Sequence, residues 1–145
     1  MPQFDSDRMM KLVSHMREAV RQLNRLKKCK KESFLNDPDK IGSTKYHFII
    51  AIEATIDMCN HLISRNGYRA PEDYSDAFVV LGENGAFEKS FIESLKEMAR
   101  FRNRLVHIYW EIDENQICNI LRDRLGDFKT FLNQLARFLD WPDIS

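Results

Sequence analysis

The sequence predicts an all-α fold, an antiparallel helical bundle of four long helices and one short one. Two observations carry that prediction. Apolar residues recur at three- and four-residue intervals almost throughout the chain, the period of an amphipathic helix. Glycine and proline together make up 9 of 145 residues, about half their usual share. A sandwich or barrel needs the many tight turns that those two residues supply. Hydrophobic residues at 43% and charged ones at 30% provide a core and exclude wholesale disorder. The length fits one domain spanning residues 1–145.

The first helix opens after Asp5-Ser6-Asp7, whose carboxylates and hydroxyl suit an N-cap. Met9, Leu12, Val13, Met16, Val20, Leu23 and Leu26 form its apolar stripe, opposite a basic ladder of Arg17, Arg21, Arg25 and Lys28. Asn36-Asp37-Pro38-Asp39 breaks it. A second helix runs from about Lys40 to Arg65 and stops at Asn66-Gly67. Ile49, Ile52, Ile56, Cys59 and Ile63 face inward, while Glu53, Asp57 and His61 follow at four-residue steps on another face. A short helix, Tyr74 to Leu81, lies between Pro71 and Gly82. The next long helix covers Phe87 to Ile108. The last, Asp113 to Leu139, buries Ile117, Leu121, Leu125, Phe128, Leu132, Leu135 and Leu139 before Trp141-Pro142.

Several function classes fall away on composition. The longest apolar run, Phe48 to Ile52, ends at Glu53, far short of the ~20 residues that span a bilayer. The N-terminus MPQFDSDRMM carries two acids and no apolar segment, so a cytoplasmic chain is expected. Cys29, Cys59 and Cys118 lie far apart and form no CxxC pair. They read as reduced, partly buried thiols, and neither a zinc site nor a cofactor is called for. The zero net charge hides a polarity: nine Lys/Arg against Glu18 between Arg8 and Lys31, and seven acids against Lys89 and Lys96 between Glu72 and Glu97. That polarity either steers a charged partner or marks two solvated helix faces.

The most informative segment is Arg100 to Trp110, RFRNRLVHIYW. Phe91, Ile92, Leu95, Met98, Ala99, Leu105 and Val106 define its apolar face. On a helical wheel Arg102 falls about 20° from Leu95, and Tyr109 about 20° from Arg102. A guanidinium in a buried stripe must find partners, because an unpaired buried charge costs several kcal/mol. Asn103 and His107 share one side of the helix, but Arg102 and His107 are about 140° apart. One undistorted helix cannot aim both at one small ligand, so either the helix deforms or a second copy completes the site across a two-fold axis.

Arginine with histidine suits phosphodiester chemistry on RNA. Imidazole can take and return the proton of a 2′-hydroxyl, and a guanidinium can neutralise charge on phosphoryl oxygens. The alternative is structural: His107 as a C-terminal cap and Arg102 as half of an ion pair. Arg100 and Arg104 fit either a phosphate-contacting or a solvated face. Asp57 and His61 form either an exposed pair or a support for Arg102.

Arg102-Asn103-Arg104-Leu105-Val106-His107-Ile108-Tyr109 matches the Arg-x4-His-x-Tyr signature of HepT toxins, in the HEPN (higher eukaryotes and prokaryotes nucleotide-binding) superfamily. AIEATIDMCNHLIS (51–64), RAPEDYSDAFVVL (69–81) and MARFRNRLVHIYWEID (98–113) resemble successive blocks of the same proteins. The resemblance implies a HEPN bundle that forms a homodimer, with the motifs of both copies facing a shared cleft. It implies metal-independent endoribonuclease action on RNA, either tRNA or single-stranded RNA. His107 would be the general acid/base, Arg102 the phosphate stabiliser, and Asn103 an orienting residue. HepT toxins pair with MNT antitoxins, nucleotidyltransferases that transfer AMP to the motif tyrosine, here Tyr109. The competing implication is a non-catalytic HEPN module that partners such an enzyme or binds nucleotide. The N-terminal third matches less distinctly, leaving its basic ladder unassigned.

Overall fold

A computed structural model describes residues 1–107 and 111–145. Among them are seven α-helices and no strand: α1 (Ser6–Lys27), α2 (Lys31–Leu35), α3 (Pro38–Asn66), α4 (Tyr74–Glu83), α5 (Lys89–His107), α6 (Glu114–Asp123) and α7 (Gly126–Leu139), then a 3-10 turn (Pro142–Ile144). No helix among these residues is long and apolar enough to cross a membrane.

Aspartates set four of the helix starts by accepting otherwise unpaired amides. Asp5 takes the Asp7 and Arg8 N–H groups, Asp37 those of Asp39 and Lys40, Asp73 that of Asp76, and Asp113 that of Asn115. Gly67, at φ 65°, closes α3 in the left-handed conformation that glycine adopts without steric cost. The N-terminal end of α5 is served from a distance. Buried Gln134 of α7 accepts the Glu88 N–H at 3.0 Å.

The helix count departs from the expected four long and one short. The expected first helix stops at Lys27, and Lys31–Leu35 forms a separate turn that buries Phe34. Lys27, Lys28, Lys30 and Lys31 crowd like charge at that junction. The second begins at Pro38, where a fixed φ and a missing N–H cost nothing in the first turn. The expected 113–139 helix divides at Arg124-Leu125, just before Gly126. There Arg124 donates to Asp127 at 3.1 Å and to Glu97 of α5 at 2.8 Å, tying the break to the site helix.

The predicted core is largely recovered. All seven apolar residues predicted for the last helix are buried, as are Ile52, Ile56, Cys59 and Ile63 of α3. Ile49 is only partly buried and Val106 is exposed, against expectation. The three thiols are free, Cys59 and Cys118 being buried and Cys29 partly so, and burial pushes the Cys59 pKa well up. Phe78, Phe87, Phe91 and Phe131 pack with ring centroids 5.5 to 6.5 Å apart, joining α4, α5 and α7 around one aromatic cluster. A Cβ at Gly82 would strike the Ile92 side chain, so α4 lies close on α5. Thr55 meets Met98 while Phe48 meets Phe101, so α3 and α5 run in opposite directions. The site lies on this seam.

Candidate active site

The wheel places Arg102 in the buried stripe of α5, and its side chain is indeed only 11% exposed. The guanidinium is held on three sides. Nε and Nη2 both donate to Glu53 Oε1 of α3, at 3.2 and 2.6 Å. Nη1 donates to Asn103 Oδ1 at 3.1 Å. The Tyr74 ring at the start of α4 lies 4.7 Å from Cζ, within cation–π range. A guanidinium carries five N–H donors. Three are committed, so two remain among the described residues for an incoming anion.

Two of these partners escaped the sequence reading. Glu53 appeared only as one of three polar residues on its own helix, and Tyr74 as a helix start. The available signal for Glu53 was its position directly after the apolar run 48–52, at the margin of the buried face. Tyr74 gave no comparable signal. The start of α4 is fixed by Arg69, which donates to Asp76 at 2.8 and 3.0 Å and to Glu83 at 2.8, 3.0 and 3.3 Å. The Arg69 hydrogen bonds, followed by one from the Glu72 N–H, lower the Asp76 pKa to about 2.

Asn103 is half-buried beside Arg102, whereas His107 is exposed at the last position of α5. The exposure of His107 agrees with its wheel position about 140° from Arg102, whereas Asn103, expected on the side of His107, has its side chain against Arg102 instead. Arg104 is half-buried and donates to Gln116 Oε1 at 2.6 Å, so it is anchored to α6 rather than freely solvated. Arg100 is exposed. Tyr109 lies outside the described residues.

The i,i+4 partnership of Asp57 and His61 is not formed. His61 Nε2 instead accepts the Asp5 N–H at 3.0 Å, joining the start of α1 to α3. Asp57 influences Arg102 through its charge alone: partial loss of water, then the neighbouring Glu53 carboxylate, raises its pKa, and Arg102 and Arg8 oppose the shift. For His61, desolvation first, then the Arg65 and Arg8 charges, lowers the pKa below 6.5, against the pull of Asp5. A proton on Nε2 would also remove the acceptor for Asp5. The unfolded chain therefore binds the proton more readily, and the contribution of His61 to stability is lost as pH falls through the folded-state pKa. Melting curves from about pH 7.5 to about pH 5.5 should show a steeper loss of Tm in the wild type than in His61→Gln, whose amide oxygen accepts without titrating. Parallel slopes would remove His61 from the acid response.

Comparison with known proteins follows the same lines. A family model described as "HepT-like: Ribonuclease HepT-like" matches residues 16–135. An mRNA nuclease HepT of Shewanella oneidensis is 30% identical over 81 residues, covering 56% of this chain and 61% of that one. A tRNA nuclease HepT of Aphanizomenon flos-aquae is 25% identical over 124 residues, covering 82% and 83%. Among solved structures, the tri-AMPylated Shewanella oneidensis HEPN toxin in complex with MNT antitoxin superposes with a TM-score of 0.82 at 21% identity, covering 89% of this chain and 96% of that one. YutE from Bacillus subtilis, a cytosolic protein of unknown function, gives 0.81 at 16% identity, covering 100% and 97%. At these identities the structural likeness establishes the HEPN-like fold.

Proposed function

The chain belongs to the HepT-like ribonuclease family, and on that premise we propose that it is the RNA-cleaving toxin of a HEPN/MNT toxin–antitoxin pair. The observation that carries the reading is Arg102, a buried guanidinium fixed by Glu53 and Asn103 with two donors left over among the described residues. Glu53 and Asn103 fix the plane of the guanidinium, and two of its five N–H groups have no partner among the described residues.

The reaction needs no external nucleophile. The 2′-oxygen of a ribose attacks the adjacent phosphorus, and the bond to the 5′-oxygen breaks. Products are a 2′,3′-cyclic phosphate and a 5′-hydroxyl. His107 accepts the 2′-hydroxyl proton, and an imidazolium returns one to the departing 5′-oxygen. The free edge of Arg102 neutralises charge gathering on the non-bridging oxygens, and Asn103 keeps that edge oriented.

Because Arg102 and His107 face different sides of α5, we take the site to be composite, with a second copy of this single HEPN domain supplying the imidazole. Val106 is 37% exposed one turn beyond Arg102, and Tyr46 is 59% exposed two turns before Glu53 on the opposing helix. An apolar surface flanking a polar site fits self-association. The partner enzyme would silence the toxin in the cytoplasm by adding AMP to Tyr109, bringing charge and bulk against a cleft built for phosphate.

Purified protein incubated with tRNA and single-stranded RNA in excess EDTA should yield cyclic-phosphate ends, and His107→Ala should cut at least about 100-fold more slowly. Intact RNA in every lane would overturn the nuclease reading and leave a binding module. Co-expression with a cognate nucleotidyltransferase should raise the intact mass by whole AMP units, and Tyr109→Phe should abolish the increase. A modification mapped to another residue would displace Tyr109.

A further inference from the structure

A groove of about 360 Å3 opens on the flank of α5 away from Glu53. Its size falls within the ~300–1,000 Å3 range of small-molecule sites. The floor is aromatic and apolar: Phe48 and Phe101, packed edge to face at 5.2 Å, with Phe128 and Ile120. The rim is cationic. Of the arginines there, Arg124 is already neutralised by Glu97 and Asp127. Arg104 commits one donor to neutral Gln116. Arg100 has no ion pair among the described residues. The groove thus joins an aromatic floor to a rim of three arginines against Glu97 and Asp127, a net positive charge, with Arg100 and Arg104 in no ion pair among the described residues.

Its position on the helix adds to this. Arg100 and His107 are seven residues apart and fall within about 20° on the wheel, and Arg104 lies about 60° from His107. The groove rim and the imidazole therefore share one side of α5. Aromatic side chains and guanidinium groups are the usual means by which proteins hold splayed-out bases and the phosphates between them.

We infer that this groove is a nucleotide subsite, taking one unpaired base of the RNA against Phe101, Phe128 and Ile120 and its phosphate on Arg100 and Arg104. The inference rests on the nuclease reading for its role in cleavage, but not for the binding itself. Substrates are then single-stranded at the nucleotide beside the cut, since a base still paired in an A-form helix cannot enter. A nucleotide matches this lining on both counts, its base suiting the aromatic floor and its phosphate the arginines of the rim. An aliphatic carboxylate shares the apolar-plus-anion chemistry and is separated below.

The test titrates AMP, ribose 5-phosphate and octanoate separately into isotope-labelled protein, followed by backbone amide shifts. AMP should saturate, with its largest shifts at Phe101, Ile120 and Phe128, and ribose 5-phosphate should bind about tenfold more weakly. Arg100→Gln should weaken AMP about tenfold. Ile120→Trp, which fills the groove, should abolish binding. If that variant does not fold, Arg100→Gln decides alone. Equal affinity for ribose 5-phosphate, octanoate matching AMP, or no saturation each overturns the subsite. In parallel, abasic nucleotides are stepped through a cleavable RNA, and removing one base next to the cut should slow cleavage about tenfold. Protein that cuts RNA but neither binds AMP nor responds to abasic positions loses the subsite and keeps the nuclease. Protein that binds AMP and cuts no RNA keeps the subsite and loses the nuclease.

Discussion

Arg102→Lys should lose RNA cleavage by about 100-fold or more while the bundle stays folded. Lysine keeps the charge and much of the aliphatic stem but lacks the planar fork. Arg102 uses that plane to reach Glu53 through Nε and Nη2 and Asn103 through Nη1 at once. An ammonium can reach one of these oxygens or a phosphate, but cannot bridge them in a fixed plane. The stability cost is moderate, because the Glu53 side chain is 38% exposed and can rehydrate when its partner leaves. Arg102→Ala should therefore cost about 1–2 kcal/mol, far less than an orphaned charge deep in a core. Single-turnover cleavage and thermal melting, measured on wild type, Arg102→Lys and Arg102→Ala, separate the two roles. Cleavage retained in the lysine variant refutes the fork, and activity that falls only in step with unfolding makes Arg102 structural.

The burial of Arg102 was legible in the sequence because it depends on one helix alone: a 3.6-residue period fixes which side of α5 the residue occupies. Its angular separation from His107 was legible for the same reason. Glu53 was not, since its meeting with Arg102 depends on how α3 and α5 are registered across 49 residues of chain. Periodicity on either helix is silent about that register. The division of α6 from α7 was hidden differently. The stripe Ile117, Leu121, Leu125, Phe128, Leu132 continues through the break without losing phase, and only Gly126 and the Arg124 side chain mark it. Val106 failed in the opposite sense, being apolar on an apolar face yet exposed. Hydrophobic spacing records a surface covered by something, and it does not distinguish a covering helix from a covering partner.

Glu53→Gln should slow turnover about tenfold or more while leaving KM for RNA unchanged or lower. The amide keeps a single acceptor but loses the charge that makes the 2.6 Å contact to Nη2 strong. A guanidinium held less firmly spends less time with its free edge aimed at the phosphate, which lowers kcat. Ground-state attraction for RNA does not fall, because a carboxylate near the phosphate has been removed. Asp57 supplies a check independent of activity. Its pKa is raised by desolvation first and by the Glu53 charge next, so Glu53→Gln should shift its carboxyl titration toward lower pH in an NMR experiment. The rival view is that Glu53 competes with phosphate for Arg102 and restrains the enzyme, in which case Glu53→Gln would cut faster than wild type. Geometry argues against it. Glu53 occupies the Nε–Nη2 edge with one oxygen, and two N–H groups have no partner among the described residues. Under the proposed mechanism the carboxylate braces Arg102 during the reaction rather than being displaced by substrate, and a rise in kcat in the glutamine variant would reverse that assignment.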